Sequence, residues 1–282
     1  MSNRFFLILR FIVLVILIII VLFPYIWMFL NSFKSSQELV TYPIVWFPKS
    51  LSLDGYRELF REVKIQIFFK NSLIVCVAST LTSVIVTSLA AFALARIRFK
   101  QRFMTNAIII SIILVFQLIP PVVLLIPLYF NFLRLNLVDS HIGLIIAYLV
   151  FSIPFSILML RNYFVTVYPK ELDEAAMVDG CNYFQVFYKI TLPLCKPGIA
   201  AVGTFTFMLS WNDFIWSSIL INTFKLKTLN PALFLLFGDQ VSRIMRPSIF
   251  AGALIVAFPT FLMFFFLQKY LVLGLGQGAV KG

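Results

Sequence analysis

Long apolar stretches alternate with short polar ones along most of the chain. A helix that crosses a bilayer needs about 20 consecutive residues that are mostly apolar. Six stretches meet that length, namely residues 11–30, 71–97, 104 to about 125, 141 or 142 to 160, 198–221, and 246 or 247 to 270. The pattern therefore predicts an all-α membrane protein with six transmembrane helices. Two connections contain short helical patterns of their own, near residues 56–63 and 127–137.

Prolines fall inside three of these six stretches. Pro120 and Pro121 interrupt the third, Pro154 lies in the fourth and Pro259 in the sixth. A carbonyl that a proline frees in lipid must find a protein or water partner. Helices bent around a central cavity provide one, and a static kink is the alternative. Because Gln117 is a lone amide one turn before Pro120, we predict that both residues line or gate a pathway.

One acidic residue, Asp213, lies well inside a predicted span, and Asn212 precedes it. A charged side chain that faces lipid costs about 2.5–3.5 kcal/mol on insertion scales. We therefore expect Asp213 to face the bundle interior or water. Our prediction is that Asn212 and Asp213 line or gate the pathway, with a purely structural hydrogen bond as the alternative.

Small polar residues recur at three- and four-residue steps along the second span, which places them on one helix face. They are Ser72, Cys76, Ser79, Ser83 and Thr87. Small residues let helices approach closely in membranes. Close helix packing is therefore the main interpretation of this stripe, and the lining of a water-filled route is the lesser one.

Composition agrees with a membrane protein, since 61% of the 282 residues are hydrophobic and 12% are charged. Soluble domains average about 25% charged residues. The net charge of +12 does not indicate nucleic acid, because the basic residues cluster at the ends of apolar stretches, where lipid headgroups lie. The three cysteines are scattered and have neither a disulfide framework nor metal-ligand spacing, so no metal site is expected.

The orientation rests on one short loop, because basic residues divide nearly equally between the two sides of the predicted bundle. That loop contains Arg96, Arg98, Lys100 and Arg102 and no acidic residue. Cytoplasmic loops are enriched in lysine and arginine. We therefore place this loop, both termini and the loop after the fourth span in the cytosol.

A polar segment, residues 170–193, separates the fourth and fifth spans and contains four of the eleven acidic residues. Pro169 suits the first turn of a helix, and the carboxylates that follow lie near its positive end. We expect these carboxylates to be solvated. Gly180 suits a left-handed helix end, Asn182 can cap a second short helix, and Pro193 is expected to stop it. Two short helices joined at a glycine form a rigid knob for another protein's groove.

The same segment resembles the EAA loop of ATP-binding cassette (ABC) importer permeases. The matching residues, at the spacing of that loop, are Glu174, Ala175, Ala176, Gly180, Ile190, Leu192 and Pro193. Other pieces are similar to the carbohydrate branch of that group, the maltose and glycerol-phosphate type. They are residues 31–34, 46–48, 51–53, 71–73, 90–96, 211–214 and 278–282, so the resemblance covers nearly the whole chain.

This resemblance implies the type I ABC importer permease fold. It implies an N-terminal part at 1–69, a five-helix core at 70–270 with a cytosolic coupling loop at 165–196, and a cytosolic tail at 271–282. The tail residues Gly278 and Lys281 would contact the ATPase. The residues that would couple to the ATPase are Glu174, Ala175, Ala176, Asp179, Gly180, Leu192 and Pro193.

The chain has one histidine and no Gly-x-x-x-x-Gly-Lys-Ser/Thr phosphate loop, so it is not expected to be an enzyme. The resemblance therefore implies partners that bind the nucleotide. ATP and Mg would bind two copies of a cytosolic ATPase. A second permease would complete a heterodimeric pore, and an extracellular or periplasmic binding protein would deliver a sugar across a bacterial or archaeal plasma membrane.

Two alternatives remain open at this point. One is an ABC permease for another solute such as glycerol 3-phosphate. The other is an independent secondary transporter or channel. The latter class should carry coupling-ion carboxylates or an inverted repeat, and Asp213 alone does not meet that standard.

Overall fold

The computed structural model describes residues 2–96, 102–167, 169–238 and 246–276, and every regular element in these ranges is helical. The α-helices are α1 (Ser2–Ser32), α2 (Ser36–Val40), α3 (Asp54–Arg57), α4 (Ile65–Arg96), α5 (Arg102–Gln117), α6 (Leu125–Arg134), α7 (His141–Val167), α8 (Glu171–Val178), α9 (Tyr183–Val186), α10 (Leu192–Leu194), α11 (Lys196–Trp211), α12 (Ile215–Leu220), α13 (Leu229–Gly238) and α14 (Pro247–Gly276). Wider π-type turns follow α3 and α9, at Glu58–Glu62 and Phe187–Thr191, and a 3₁₀ turn spans Phe224–Leu226.

Four described helices are long and apolar enough to cross a membrane, over Phe5–Ser32, Ile65–Arg96, His141–Val167 and Pro247–Phe265. They confirm the first, second, fourth and sixth predicted spans. A fifth candidate is the bent pair Tyr183–Leu194 and Lys196–Trp211, whose axes differ by 80°. Six continuous spans are therefore not confirmed.

The third and fifth predicted spans are shorter than expected. Helix α5 ends at Gln117, before Pro120 and Pro121, so the prolines stop the helix instead of bending it. Helix α11 ends at Trp211, and the chain leaves helical conformation before α12 begins at Ile215. In both places polar or proline residues interrupt a run that hydropathy alone reads as continuous.

The chain divides into two compact units, the first formed by residues 1–67 and 232–259. Its helix α1 is exposed along almost its whole length. Beyond α1, the ammonium of Lys34 donates to Asn31 Oδ1 at 2.7 Å and lies 4.5 Å from the centre of the Trp27 ring. An ion pair of 3.0 Å joins Arg246 to Glu58. The short helix predicted near 56–63 is present as α3 and the turn after it.

The second unit, residues 68–231 and 260–282, contains the elements that concern function. Its helix α4 buries the whole predicted stripe, so the packing interpretation of those residues is confirmed. The stripe is buried at Ser72, Cys76, Ser79, Ser83 and Thr87. The hydroxyl of Ser83 accepts a bond of 3.0 Å from Thr206 on α11, which fixes how these two helices face each other.

Candidate functional site

The first half of the polar segment is α8 and the turn that closes it. Gly180 has a φ of +89°, the left-handed conformation predicted for it. Its N–H donates to the carbonyl of Met177 at 3.1 Å, and the N–H of Cys181 donates to that of Ala176 at 2.9 Å. These two bonds form a Schellman motif, which satisfies carbonyls that the helix end leaves unpaired. The start differs from prediction, because α8 begins at Glu171 and Pro169 precedes its first turn.

The second half of the polar segment begins with a capping box. The Asn182 side chain accepts from the Gln185 N–H at 2.9 Å, and the Gln185 side chain accepts from the Asn182 N–H at 2.8 Å. The cap predicted at Asn182 is therefore present. Pro193 does not stop this half, since it lies within α10. The stop is at Cys195, where the chain turns into α11.

The acidic residues of the segment divide into two kinds. Glu171 and Glu174 are exposed, and Glu174 pairs with Lys170 at 2.7 Å, an (i, i+4) contact on the helix surface. Asp173 is 3% exposed, and its Oδ2 lies 3.0 Å from Nε of Arg96. The expectation that these carboxylates are solvated is therefore wrong for Asp173.

Burial of Asp173 follows from its place on the face of α8 that also carries Ala176, three residues on. That face packs against a cluster formed by Ala91, Phe92, Ala95, Leu160, Phe164, Ala176, Val186, Phe187, Cys195 and Val202. The cluster combines residues of α4, α7 and α11 with residues of the polar segment. The polar segment is thus held on three helices of the second unit.

Arg96, the last residue of α4, is a charged residue beside the polar segment whose burial sequence reasoning missed. We expected it at the lipid headgroups, but the structure buries its side chain to 5% exposure. Besides Asp173, its Nη2 donates to the carbonyl of Phe164 at 2.9 Å. Nothing local in the sequence shows this, because the partners lie 68 and 77 positions further along the chain.

Several large apolar side chains of the polar segment are exposed. Val178 is 87% exposed, and Phe184 and Tyr188 are also exposed. Among the predicted coupling residues, Ala175, Asp179 and Pro193 are exposed, Leu192 is half-buried, and Ala176 packs on the bundle side. Exposed apolar groups beside polar ones are typical of a protein–protein contact.

The break between α11 and α12 contains the predicted pathway residues Asn212 and Asp213. Asp213 accepts hydrogen bonds from the Tyr148 hydroxyl at 2.9 Å and from the Ser217 N–H at 2.9 Å. It therefore caps α12 and ties it to α7. Asn230 donates to the carbonyls of Trp211 and Asp213 at 2.9 and 3.2 Å. Side chains thus supply hydrogen bonds to backbone groups at the break in the helix.

The other predicted site residues have fewer contacts. Asn212 is exposed and donates to the carbonyl of Met208 at 2.9 Å. Gln117 and Pro120 are exposed at and beyond the end of α5. Gly278 and Lys281 lie outside the described residues. A pathway role for Gln117, Pro120, Asn212 and Asp213 stays a prediction.

Comparison with known proteins defines the class. The chain belongs to the family of binding-protein-dependent transport system inner membrane components, whose family model matches residues 83–275. It is therefore a membrane-embedded permease subunit of an ABC importer, as the resemblance in the polar segment predicted.

Particular relatives extend over almost the whole chain. A sulfoquinovosyl glycerol transport system permease of Agrobacterium fabrum is 35% identical over 97% of this chain and 94% of its own. A diacetylchitobiose uptake permease of Streptomyces coelicolor is 33% identical over 95% of each chain. A trehalose/maltose permease of Thermococcus litoralis is 31% identical over 95% of this chain and 94% of its own.

The fold also matches a solved structure. A chain of a bacterial ABC transporter that imports the acidic polysaccharide alginate superposes with a TM-score of 0.79, covering 95% of this chain and 97% of that one, at 24% identity. At that identity the likeness establishes the fold, which is the ABC importer permease fold predicted from the sequence.

Proposed function

We propose that this chain is one permease subunit of an ATP-driven importer for a sugar that an external binding protein delivers. Membership of the family supports the importer, and the sugar rests on the relatives, whose names include diacetylchitobiose and trehalose/maltose systems. A second permease completes the pore. Two copies of a cytosolic ATPase bind ATP and Mg, and the termini lie in the cytosol.

The polar segment is the surface on which the ATPase docks. The observation that carries this proposal is its two-sided construction. One face is packed on α4, α7 and α11 through a buried cluster. Away from that face, Val178 is 87% exposed one helical turn after the exposed Glu174. A body anchored on membrane helices and apolar on its free side can transmit the motion of a docked partner.

Individual residues have defined roles in this docking. Glu174 makes the charged contact with the ATPase, because its carboxylate is exposed at the start of α8. Ala175 and Asp179 lie on exposed surface and permit close approach, whereas Ala176 supports α8 from the bundle side. Gly180 sets the turn, and the tail residues Gly278 and Lys281 add a further contact.

Cross-linking tests the docking. Val178→Cys, in a chain with Cys181→Ser, should form a cross-link to the ATPase in membranes of cells that express the complete transporter. Leu135→Cys is the matched control, because Leu135 is exposed but belongs to the predicted external side. A cross-link at Leu135 but not at Val178 would overturn the docking.

Uptake tests the substrate class. Cells that express the complete transporter are offered radiolabelled maltose, trehalose or diacetylchitobiose. Radiolabelled glycerol 3-phosphate, the alternative substrate, is offered in a separate assay. Uptake of a sugar that is lost when this chain is deleted supports the proposal. Uptake of glycerol 3-phosphate alone contradicts it.

A further inference from the structure

One buried side chain connects three helices of the second unit. Arg96 is the last residue of α4, its Nη2 donates to the Phe164 carbonyl near the end of α7, and its Nε lies 3.0 Å from Asp173 in the first turn of α8. The Arg96 and Asp173 side chains are 5% and 4% exposed. Arg96 therefore bridges two membrane helices and the polar segment.

Each partner of Arg96 suits a cation for its own reason. Phe164 is among the last four residues of α7, whose carbonyls lack a partner within the helix. The carboxylate of Asp173 lies at the positive end of α8, where the helix dipole favours it. A guanidinium has donors in a fixed planar arrangement and can hold both acceptors at once, whereas an ammonium acts as a point charge.

The bridge supplies something that the apolar cluster beneath the polar segment does not. Apolar packing is non-directional, so it holds α8 on the bundle without fixing its orientation. The hydrogen bond from Arg96 to the Phe164 carbonyl is directional. Together with the ion pair to Asp173, it joins the ends of α4 and α7 to the first turn of α8. A load on α8 therefore passes to both helices through one side chain.

We propose that Arg96 and Asp173 are positioning residues that make the polar segment and the ends of α4 and α7 move as one body. This inference rests on the proposed docking of the segment on the ATPase. If the ion pair were purely structural, apolar groups of similar size could replace it without loss of stability. A positioning pair differs, because apolar replacement keeps the fold and loses the fixed orientation.

The test measures a distance inside the complete transporter. Nitroxide labels are placed at Glu171→Cys on α8 and Ile85→Cys on α4, both exposed, in a chain with Cys181→Ser. Pulsed electron paramagnetic resonance gives their separation with and without ATP plus vanadate. The unaltered pair should keep the same separation in both states, because α8 and α4 move together.

The informative variant is Arg96→Met with Asp173→Leu, which removes both charges. Its label separation should change by more than about 2 Å between the two states, the scale of helix shifts at interfaces. Arg57→Met with Asp54→Leu is the matched control, an arginine–aspartate pair at the same 3.0 Å but exposed, and it should behave as the unaltered chain. An unchanged separation in the Arg96/Asp173 variant overturns the inference.

Arg96→Lys covers the case in which the double variant does not assemble. Lysine keeps a positive charge beside Asp173 but loses the fixed planar donors that set the orientation of the two acceptors. The separation should therefore again depend on nucleotide, and a constant separation overturns the inference. Docking is measured separately, as the loss of mobility of a single label at Val178→Cys when the ATPase is added. No loss of mobility would remove the docking proposal, whereas a constant separation would remove only the positioning role.

Discussion

Two aspartates of the second unit, Asp173 and Asp213, have partners that hydropathy does not reveal. Asp173 lies in a polar segment, yet it is buried in an ion pair with Arg96. Asp213 lies in an apolar run, yet neutral donors surround it, the Tyr148 hydroxyl and the N–H groups at the start of α12. The partner of each carboxylate, and not the hydropathy around it, determines what the carboxylate does.

The difference between the partners has a mechanical consequence. The partner of Asp173 comes from another helix and is itself bonded to a third, so the pair connects separate elements. Most partners of Asp213 come from the next turn of the chain, so this residue mainly shapes a local break. Asp173 is suited to transmit motion, and Asp213 is suited to hold a discontinuous helix in place.

The largest effect is expected at Asp173. Asp173→Ala leaves the Arg96 guanidinium buried without its carboxylate, and removal of one member of a buried pair costs about 3–5 kcal/mol. The amount of assembled transporter in membranes should fall severely, as measured by the ATPase that co-purifies with the chain. Asp54→Ala, which breaks the exposed pair with Arg57, is the control and should leave assembly intact. Equal assembly in the two variants would contradict the contrast.

A smaller effect is expected at Asp213. Asp213→Ala removes a helix cap, worth about 0.5–2 kcal/mol, and leaves the Tyr148 hydroxyl without this acceptor. Uptake should fall while the ATPase stays bound to the membrane, because the docking surface is untouched. Asp213→Asn keeps an acceptor oxygen and should retain more uptake than Asp213→Ala. If Asp213→Ala released the ATPase, the local role of this residue would be wrong.

Gly180 tests the rigidity of the polar segment without disturbing either aspartate. A Cβ at Gly180 would meet no atom within 4 Å, so its replacement acts only through the backbone at φ +89°. A left-handed conformation costs other residues about 1–2 kcal/mol. Gly180→Leu should therefore insert normally but hydrolyse more ATP per solute imported.

The control for Gly180 is Gly180→Asn, since asparagine tolerates a left-handed helix end better than leucine does. The Gly180→Asn variant should hydrolyse more ATP per solute imported than the unaltered chain, and less than Gly180→Leu. Normal coupling in Gly180→Leu would show that the turn is not needed.

The smallest effect is expected at a third aspartate, Asp139, which is half-buried in the loop before α7. Hydrogen bonds from the Thr223 hydroxyl, at 2.6 Å, and from the Thr223 backbone N–H lower the pKa of Asp139. Because the folded pKa lies below the unfolded one, its contribution to stability is present above the unfolded pKa and is lost as pH falls through the folded pKa.

Asp139→Asn should therefore show a slightly flatter dependence of thermal stability on pH below the ordinary aspartate pKa. Melting curves in detergent at a series of pH values between about 2 and 5 measure this, around the reference aspartate pKa of about 3.9. Identical pH profiles for the two chains would show that the hydrogen bonds from Thr223 contribute nothing.

Much of the local structure could be predicted from the sequence, because its causes are local. The turn at Gly180 and the cap at Asn182 depend on residues within one helical turn, and both are present. The four long spans follow from hydropathy in the same way. The resemblance to ABC importer permeases, which the motif with Glu174, Gly180 and Pro193 carries, is confirmed by the family match.

The failures concern contacts between distant parts of the chain and short breaks in apolar runs. The burial of Asp173 depends on Arg96, 77 positions earlier, and no periodicity in the polar segment reveals it. The break at residues 211–214 depends on Tyr148 and Asn230, which supply hydrogen bonds from outside that run. The pattern of a single sequence indicates which secondary structure a segment favours, but not which distant residues contact it.

The side of the membrane on which the polar segment lies tests the central claim most directly. Val178→Cys, in a chain with Cys181→Ser, is treated with a thiol reagent that cannot cross the membrane, in intact cells and in inside-out vesicles. The docking proposal predicts labelling only in the vesicles, and protection there when the ATPase is bound. Labelling of Val178→Cys in intact cells would contradict it.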